Sequence, residues 1–115
     1  MTAEQSDPAG AVRRAARPAA LPDGTPYDRI GTADVARIAR ELEASGWMVE
    51  RTAINAGVWP ERYTRNRKTF SPADQASLLG AAVAVVGLGG LGGTVTEILA
   101  RDGIGRLRLV AGDRF

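Results

Sequence analysis

Six residues, Gly87-Leu88-Gly89-Gly90-Leu91-Gly92, carry the clearest chemistry in this chain. Glycines stand at the first, third and sixth positions, between a short apolar run (Ala82 to Val86) and an amphipathic stretch (Leu91 to Arg101). That order predicts a strand, a tight turn and a helix. The first glycine permits the turn, the second lets backbone approach a ligand, and the third lets helix and strand pack closely. A helix start bare of side chains offers peptide N–H groups to an anion, most naturally a phosphate. Gly87, Gly89, Gly90 and Gly92 are therefore the candidate nucleotide-binding residues. A second strand, Leu107 to Ala111, closes a βαβ unit. Hydride-transferring enzymes of this architecture usually place an acid at the end of that strand to hold a ribose. Ala111 occupies the place and Asp113 follows two residues on, where it could reach the ribose, bind magnesium or only shape a turn.

The elements that would hold the turn in place follow from patterning. Ala82 to Val86 is small and β-branched, which predicts a strand covered on both faces. In the following helix Leu91, Val95, Ile98 and Leu99 form a sheet-facing stripe and Gly103 ends it. Upstream, Ser71-Pro72-Ala73-Asp74 is a strong helix start, with a capping serine and proline at the first helical position; that helix runs to Leu79. Residues 61–70 read as a charged connector. Thr32 to Ser45 is a helix with Thr32 as its cap, a stripe of Val35, Ile38, Ala39 and Leu42, and Gly46 as its stop. A shorter helix covers Val49 to Ala56. Two helices about a glycine invite a helix-turn-helix reading, but Leu42 stands where that motif wants a small residue, so nucleic-acid binding is not expected. Residues 1–30 contain four prolines and few large apolar side chains, which predicts a disordered tail.

Composition bounds the remaining choices. The 115 residues carry a net charge of only +2, with 44% hydrophobic content, enough for one small domain. Lys68 is the only lysine among fifteen basic residues, a bias that points to a high-GC coding sequence rather than to a nucleic-acid surface. Neither His nor Cys occurs, which excludes imidazole bases, thiol nucleophiles, disulfides and Cys-ligated zinc from this stretch. No signal-like run or membrane span is legible, so a cytoplasmic location is expected. The fold class expected is α/β: the start of a Rossmann-like doubly wound parallel sheet, incomplete at one βαβ unit. The expected layout is a tail over 1–30, a helical segment over 31–60 and the N-terminal part of a nucleotide-binding domain over 61–115. Such a sheet normally has five or six strands; two are legible, so the chain reads as an N-terminal fragment.

The glycine turn, the later Gly-Ile-Gly and the Leu-Val-Ala-Gly-Asp run together resemble the ThiF/MoeB/HesA group of ubiquitin-activating-enzyme-like adenylyltransferases. Arg62-Tyr63-Thr64-Arg65-Asn66 is similar to the Arg-Tyr-x-Arg opening of that family. The resemblance covers about Arg62 to Asp113. It implies ATP and Mg2+ as ligands, with the C-terminal carboxylate of a small ubiquitin-like or sulfur-carrier protein attacking the α-phosphate of ATP to give an acyl-adenylate and pyrophosphate. It also implies a homodimer in which Arg65 reaches the neighbouring subunit's ATP site, and Gly87, Gly89, Gly90 and Gly92 against the nucleotide. Where the family usually reads Asp-x-Asp, this chain has Ala111 and Asp113. The family's downstream ATP-binding lysine, magnesium-binding aspartate and zinc-binding cysteines have no counterpart here, so the fragment is expected to be inactive alone. The alternative expectation is an NAD- or FAD-dependent Rossmann oxidoreductase.

Overall fold

The computed structural model describes residues 7–87 and 89–111. Its elements run α1 (Pro8–Ala15), β1 (Arg17–Ala20), β2 (Pro26–Ile30), α2 (Thr32–Glu41), α3 (Gly46–Asn55), β3 (Val58–Pro60), a 3-10 helix η1 (Glu61–Lys68), α4 (Pro72–Leu79), β4 (Ala82–Val86), α5 (Leu91–Asp102) and β5 (Arg106–Val110). Helices and parallel strands mix as in an incomplete α/β, Rossmann-like start. β4 and β5 pair in parallel, from Ala82 opposite Arg106 to Val86 opposite Val110, with α5 as the crossover.

The N-terminal part departs most from expectation. Residues 8–30 carry a helix and two strands rather than a disordered tail. Asp7 caps α1, accepting from the N–H groups of Ala9 and Gly10, and Pro8 opens its first turn. Only Val12 and Ala15 of this helix are buried, but they complete a core that α2, α3, β2 and β3 supply with Ile30, Val35, Ile38, Val49, Ala53 and Val58. Counting apolar residues locally misses a helix whose partners lie 15 or more positions away. β1 and β2 pair antiparallel and β2 and β3 in parallel. Pro18 is tolerated because β1 is an edge strand.

Two helix boundaries also move. α2 is capped at Gly31, not Thr32, and the Thr32 N–H donates to Oε2 of Glu61 at 3.1 Å. It ends at Glu41, and Gly46 opens α3 instead of closing α2. α4 matches expectation, with a full capping box: Ser71 Oγ accepts from the Asp74 N–H and the Asp74 carboxylate from the Ser71 N–H. A second core of Ile54, Trp59, Tyr63, Ala76 and Leu79 joins α3, β3, η1 and α4, with Tyr27 and Trp47 packed on it.

The βαβ unit is attached to that core at one end. The Gly105 N–H donates to the Leu78 carbonyl and the Arg106 N–H to that of Ala81. A Cβ at Gly105 would strike the Leu79 carbonyl, so glycine is required for this approach. The expectation that β4 is covered on both faces is not met: its residues alternate between exposed and half-buried, and Val86 is 78% exposed. Leu91, Val95 and Ile98 are likewise exposed, leaving only Leu99 of the expected stripe half-buried. Helices on both faces are what bury a parallel sheet, and two strands with one helix cannot supply them.

Candidate functional site

The glycine turn has the geometry its spacing requires. Gly87 leaves β4 with φ +83°, and its N–H donates to the Val110 carbonyl at 2.7 Å, holding the start of the turn to the end of β5. Gly90 precedes α5 with φ +55° and ψ −115°, a backbone state that L side chains rarely adopt. Gly92 lies on the first turn of α5, where a Cβ would be driven into the Gly87 carbonyl. Its N–H donates to Gly89 O at 3.1 Å. A Cβ built at Gly89 meets nothing within 4 Å, as at Gly87 and Gly90, but Gly89 alone of these three has no positive φ, so a side chain there is free of both clash and backbone strain. No side chain caps α5 among the described residues, and Gly89, Gly90 and Leu91 are exposed. The start of this 12-residue helix is therefore an open cradle of backbone donors at the positive end of the helix dipole. Leu88 and Asp113 lie outside the described residues.

Arg65 is not beside this turn. It lies exposed on η1, lining a groove with Arg62, Tyr63, Asn66, Ala100 and Arg101. Ala100 and Arg101 belong to the C-terminal turn of α5, whereas the glycines stand at its N-terminus. At about 1.5 Å per residue the helix separates its ends by roughly 16 Å. The structure thus brings the four glycines together and leaves the arginine at the far end of the same helix.

How η1 is held was not legible from the sequence. A 3-10 helix has about three residues per turn, so Tyr63 and Asn66 share one face. Tyr63 is buried, and burial pushes its hydroxyl pKa up, with the Glu50 carboxylate adding to the effect. Asn66 Nδ2 donates to Oε1 of the fully buried Gln75 at 2.9 Å, and Gln75 Nε2 donates to the Asp102 carbonyl at 2.9 Å. This chain of bonds ties η1 through α4 to the end of α5. Gly103 sits beside it with φ +93°, and its Cα hydrogens face Gln75 and the Tyr63 ring, where a Cβ would come within 3.1 Å of Tyr63 Cε1. Arg62 reaches back to the buried Glu50 at 3.5 Å. Burial pushes the Glu50 carboxyl pKa up and the Arg62 charge only partly counters it. The period of three in Tyr63 and Asn66 was the available signal for this face.

The two parallel strands, the glycine turn and the helix between them form a βαβ unit of Rossmann-like type, the start of an α/β fold. The segment from residue 63 to 115 matches the ThiF family. The chain is also 50% identical over 54 residues to "Protein HesA, heterocyst" of Trichormus variabilis, a match covering 45% of this chain and 20% of that protein. The chain thus spans about a fifth of the length of the curated relative it matches. No solved structure matches it significantly. No helix among the described residues is long and apolar enough to cross a membrane.

Proposed function

We propose that the glycine turn binds the phosphates of ATP, as part of an adenylyltransferase that activates a carboxylate. The observation that supports this most directly is the open position at Gly89, beside an uncapped helix start, within a ThiF-family segment. Bare N–H groups at a helix N-terminus suit phosphate oxygens, and each charge-assisted bond there is stronger than a neutral one. In the proposed reaction a carboxylate oxygen attacks the α-phosphorus; the bond to the bridging oxygen breaks and pyrophosphate leaves, giving an acyl-adenylate. The carboxylate is proposed to be the C-terminus of a ubiquitin-like or sulfur-carrier protein. Mg2+ would travel with the phosphates, since such ions are commonly held by substrate phosphates and one or two carboxylates. The described residues contain no cluster of three potential metal ligands, so no protein ligand is assigned to it.

Arg65 is proposed to act in the ATP site of a second subunit. Its separation from its own chain's glycine turn supports a role in trans over one in cis. Its guanidinium would there offset phosphate charge as the transition state forms. The oxidoreductase reading lacks its ribose acid at Ala111 and gains nothing from the family match.

The test uses Gly89→Val, whose side chain projects into open space and leaves the turn's own contacts alone. The wild-type chain should bind Mg2+-ATP saturably in a calorimetric titration, and the variant should lose that binding while keeping its circular dichroism spectrum. Equal affinity in the two proteins, or no saturable binding by the wild type, would overturn the phosphate-cradle reading.

A further inference from the structure

A second groove, of about 420 Å3, lies between the β1–β2 connection and η1, remote from the glycine turn. Leu21, Pro22 and Tyr27 form its apolar side, and Arg65, Arg67 and Lys68 its charged side. No acidic residue lines it. Among the described residues none of these three cations has an ion pair or a hydrogen bond to a side chain, whereas Arg37, Arg62 and Arg101 each pair with an acid.

The cations are also held in place. The Arg67 guanidinium stacks 4.4 Å from the Tyr27 ring centroid and 5.7 Å from that of Trp59, an arrangement that fixes a planar cation through the ring quadrupole. One of its terminal nitrogens, Nη1, is buried without a partner. Asp23 feels the Arg67 charge, but that carboxylate already accepts from the Thr25 N–H at 2.9 Å. Hydrogen bonds from Thr25 chiefly, with a lesser contribution from Arg67, lower the Asp23 pKa. Arg65 and Lys68 share one face of η1, and a 3-10 rise of about 2.0 Å per residue sets them roughly 6 Å apart along the axis. In an extended peptide, side chains two residues apart lie on one side at roughly 6.5 Å.

We propose that this groove binds an acidic peptide segment in extended conformation, with carboxylates at alternate positions over Arg65 and Lys68 and apolar side chains against Leu21 and Pro22. The match rests on charge complementarity, spacing and the apolar floor. A single-stranded nucleic acid would supply negative charge as well, but such ligands need bare aromatic faces for their bases. Tyr27, the one aromatic ring lining the groove, is already covered by Arg67. The proposal shares Arg65 with the trans role proposed above but involves no glycine of the turn, so Lys68 and Arg67 variants test it apart from ATP binding.

Fluorescence anisotropy on the 115-residue chain tests it, using a labelled peptide that alternates Glu with Val and Leu. The peptide should bind saturably and weaken with added salt, as screened charges do. Its Gln-for-Glu counterpart should not bind. Lys68 is exposed, so Lys68→Glu leaves the core untouched and should weaken binding by at least about tenfold. Arg67→Gln should do the same if its far-ultraviolet spectrum is unchanged. Equal binding of the two peptides, an unaffected Lys68→Glu variant, or no binding would overturn the proposal. A thymidine oligonucleotide or tripolyphosphate that binds more tightly than the acidic peptide, displaces it, and is itself weakened by Lys68→Glu would overturn it as well, marking a phosphate site in this groove instead.

Discussion

Replacing Gln75 by leucine isolates the staple between η1, α4 and α5. The side chain is fully buried, and leucine keeps most of its volume while removing both amide functions. Two hydrogen bonds disappear, those from Asn66 and to the Asp102 carbonyl, each with a net value of about 1 kcal/mol. Asn66 is half-buried and its amide can turn to water. The Asp102 carbonyl loses this donor in a part-buried setting, at a further penalty of about 1 kcal/mol. The extra apolar burial of leucine returns about 1 kcal/mol. The net loss should be roughly 2 kcal/mol, a large share of the 5–15 kcal/mol typical of a domain. Urea unfolding followed by tryptophan fluorescence should show the midpoint falling by about 1 M at a typical slope. In a double-mutant cycle with Asn66→Ala, a coupling of about 1 kcal/mol is expected. A loss below about 0.5 kcal/mol, or no coupling, would refute the staple.

Two further outcomes follow from burial and exposure. Glu50 binds its proton more readily in the folded chain, so the stability this adds is complete below its ordinary value of 4.5 and is lost as pH rises through the folded value. Glu50→Gln should therefore be more stable than wild type at neutral pH, with the difference closing in acid; urea midpoints at both pH values check this, and a less stable variant at neutral pH would mean the Arg62 pair outweighs burial. Leu91 and Ile98 are 77% and 52% exposed, so the double variant Leu91→Ser, Ile98→Ser should reduce self-association in light scattering and lower dye binding by about twofold; unchanged behaviour would show that this face is not what sticks.

Local signals made the βαβ unit legible. Glycine spacing, the β-branched run at Ala82 to Val86 and the Ser71 capping box each act within a few residues, and the structure repeats them. The N-terminal elements were hidden because their stability is tertiary: Val12 and Ala15 matter only once α2 and α3 lie beneath them. The same holds for η1, whose charged sequence reads as connector until Gln75 and Gly103 give Tyr63 and Asn66 something to meet. The stripe on α5 was read correctly as apolar, but its cover was inferred from an architecture of which two strands are present. Of the proposed site, the four glycines could be placed from spacing alone. The distance between them and Arg65 could not, because it depends on how η1 crosses the far end of α5.

The three-residue turn of η1 has a consequence for how this segment can change. One edge, Tyr63 and Asn66, is rooted in the protein; a second, Arg62, Arg65 and Lys68, is wholly basic; the third holds Glu61, Thr64 and Arg67. Adding or deleting a single residue would rotate all that follows by roughly 120°, sending a guanidinium toward the place of Tyr63 and an aromatic ring into water. Substitutions along the basic edge leave this register in place, whereas the count of residues between Pro60 and Ser71 is locked.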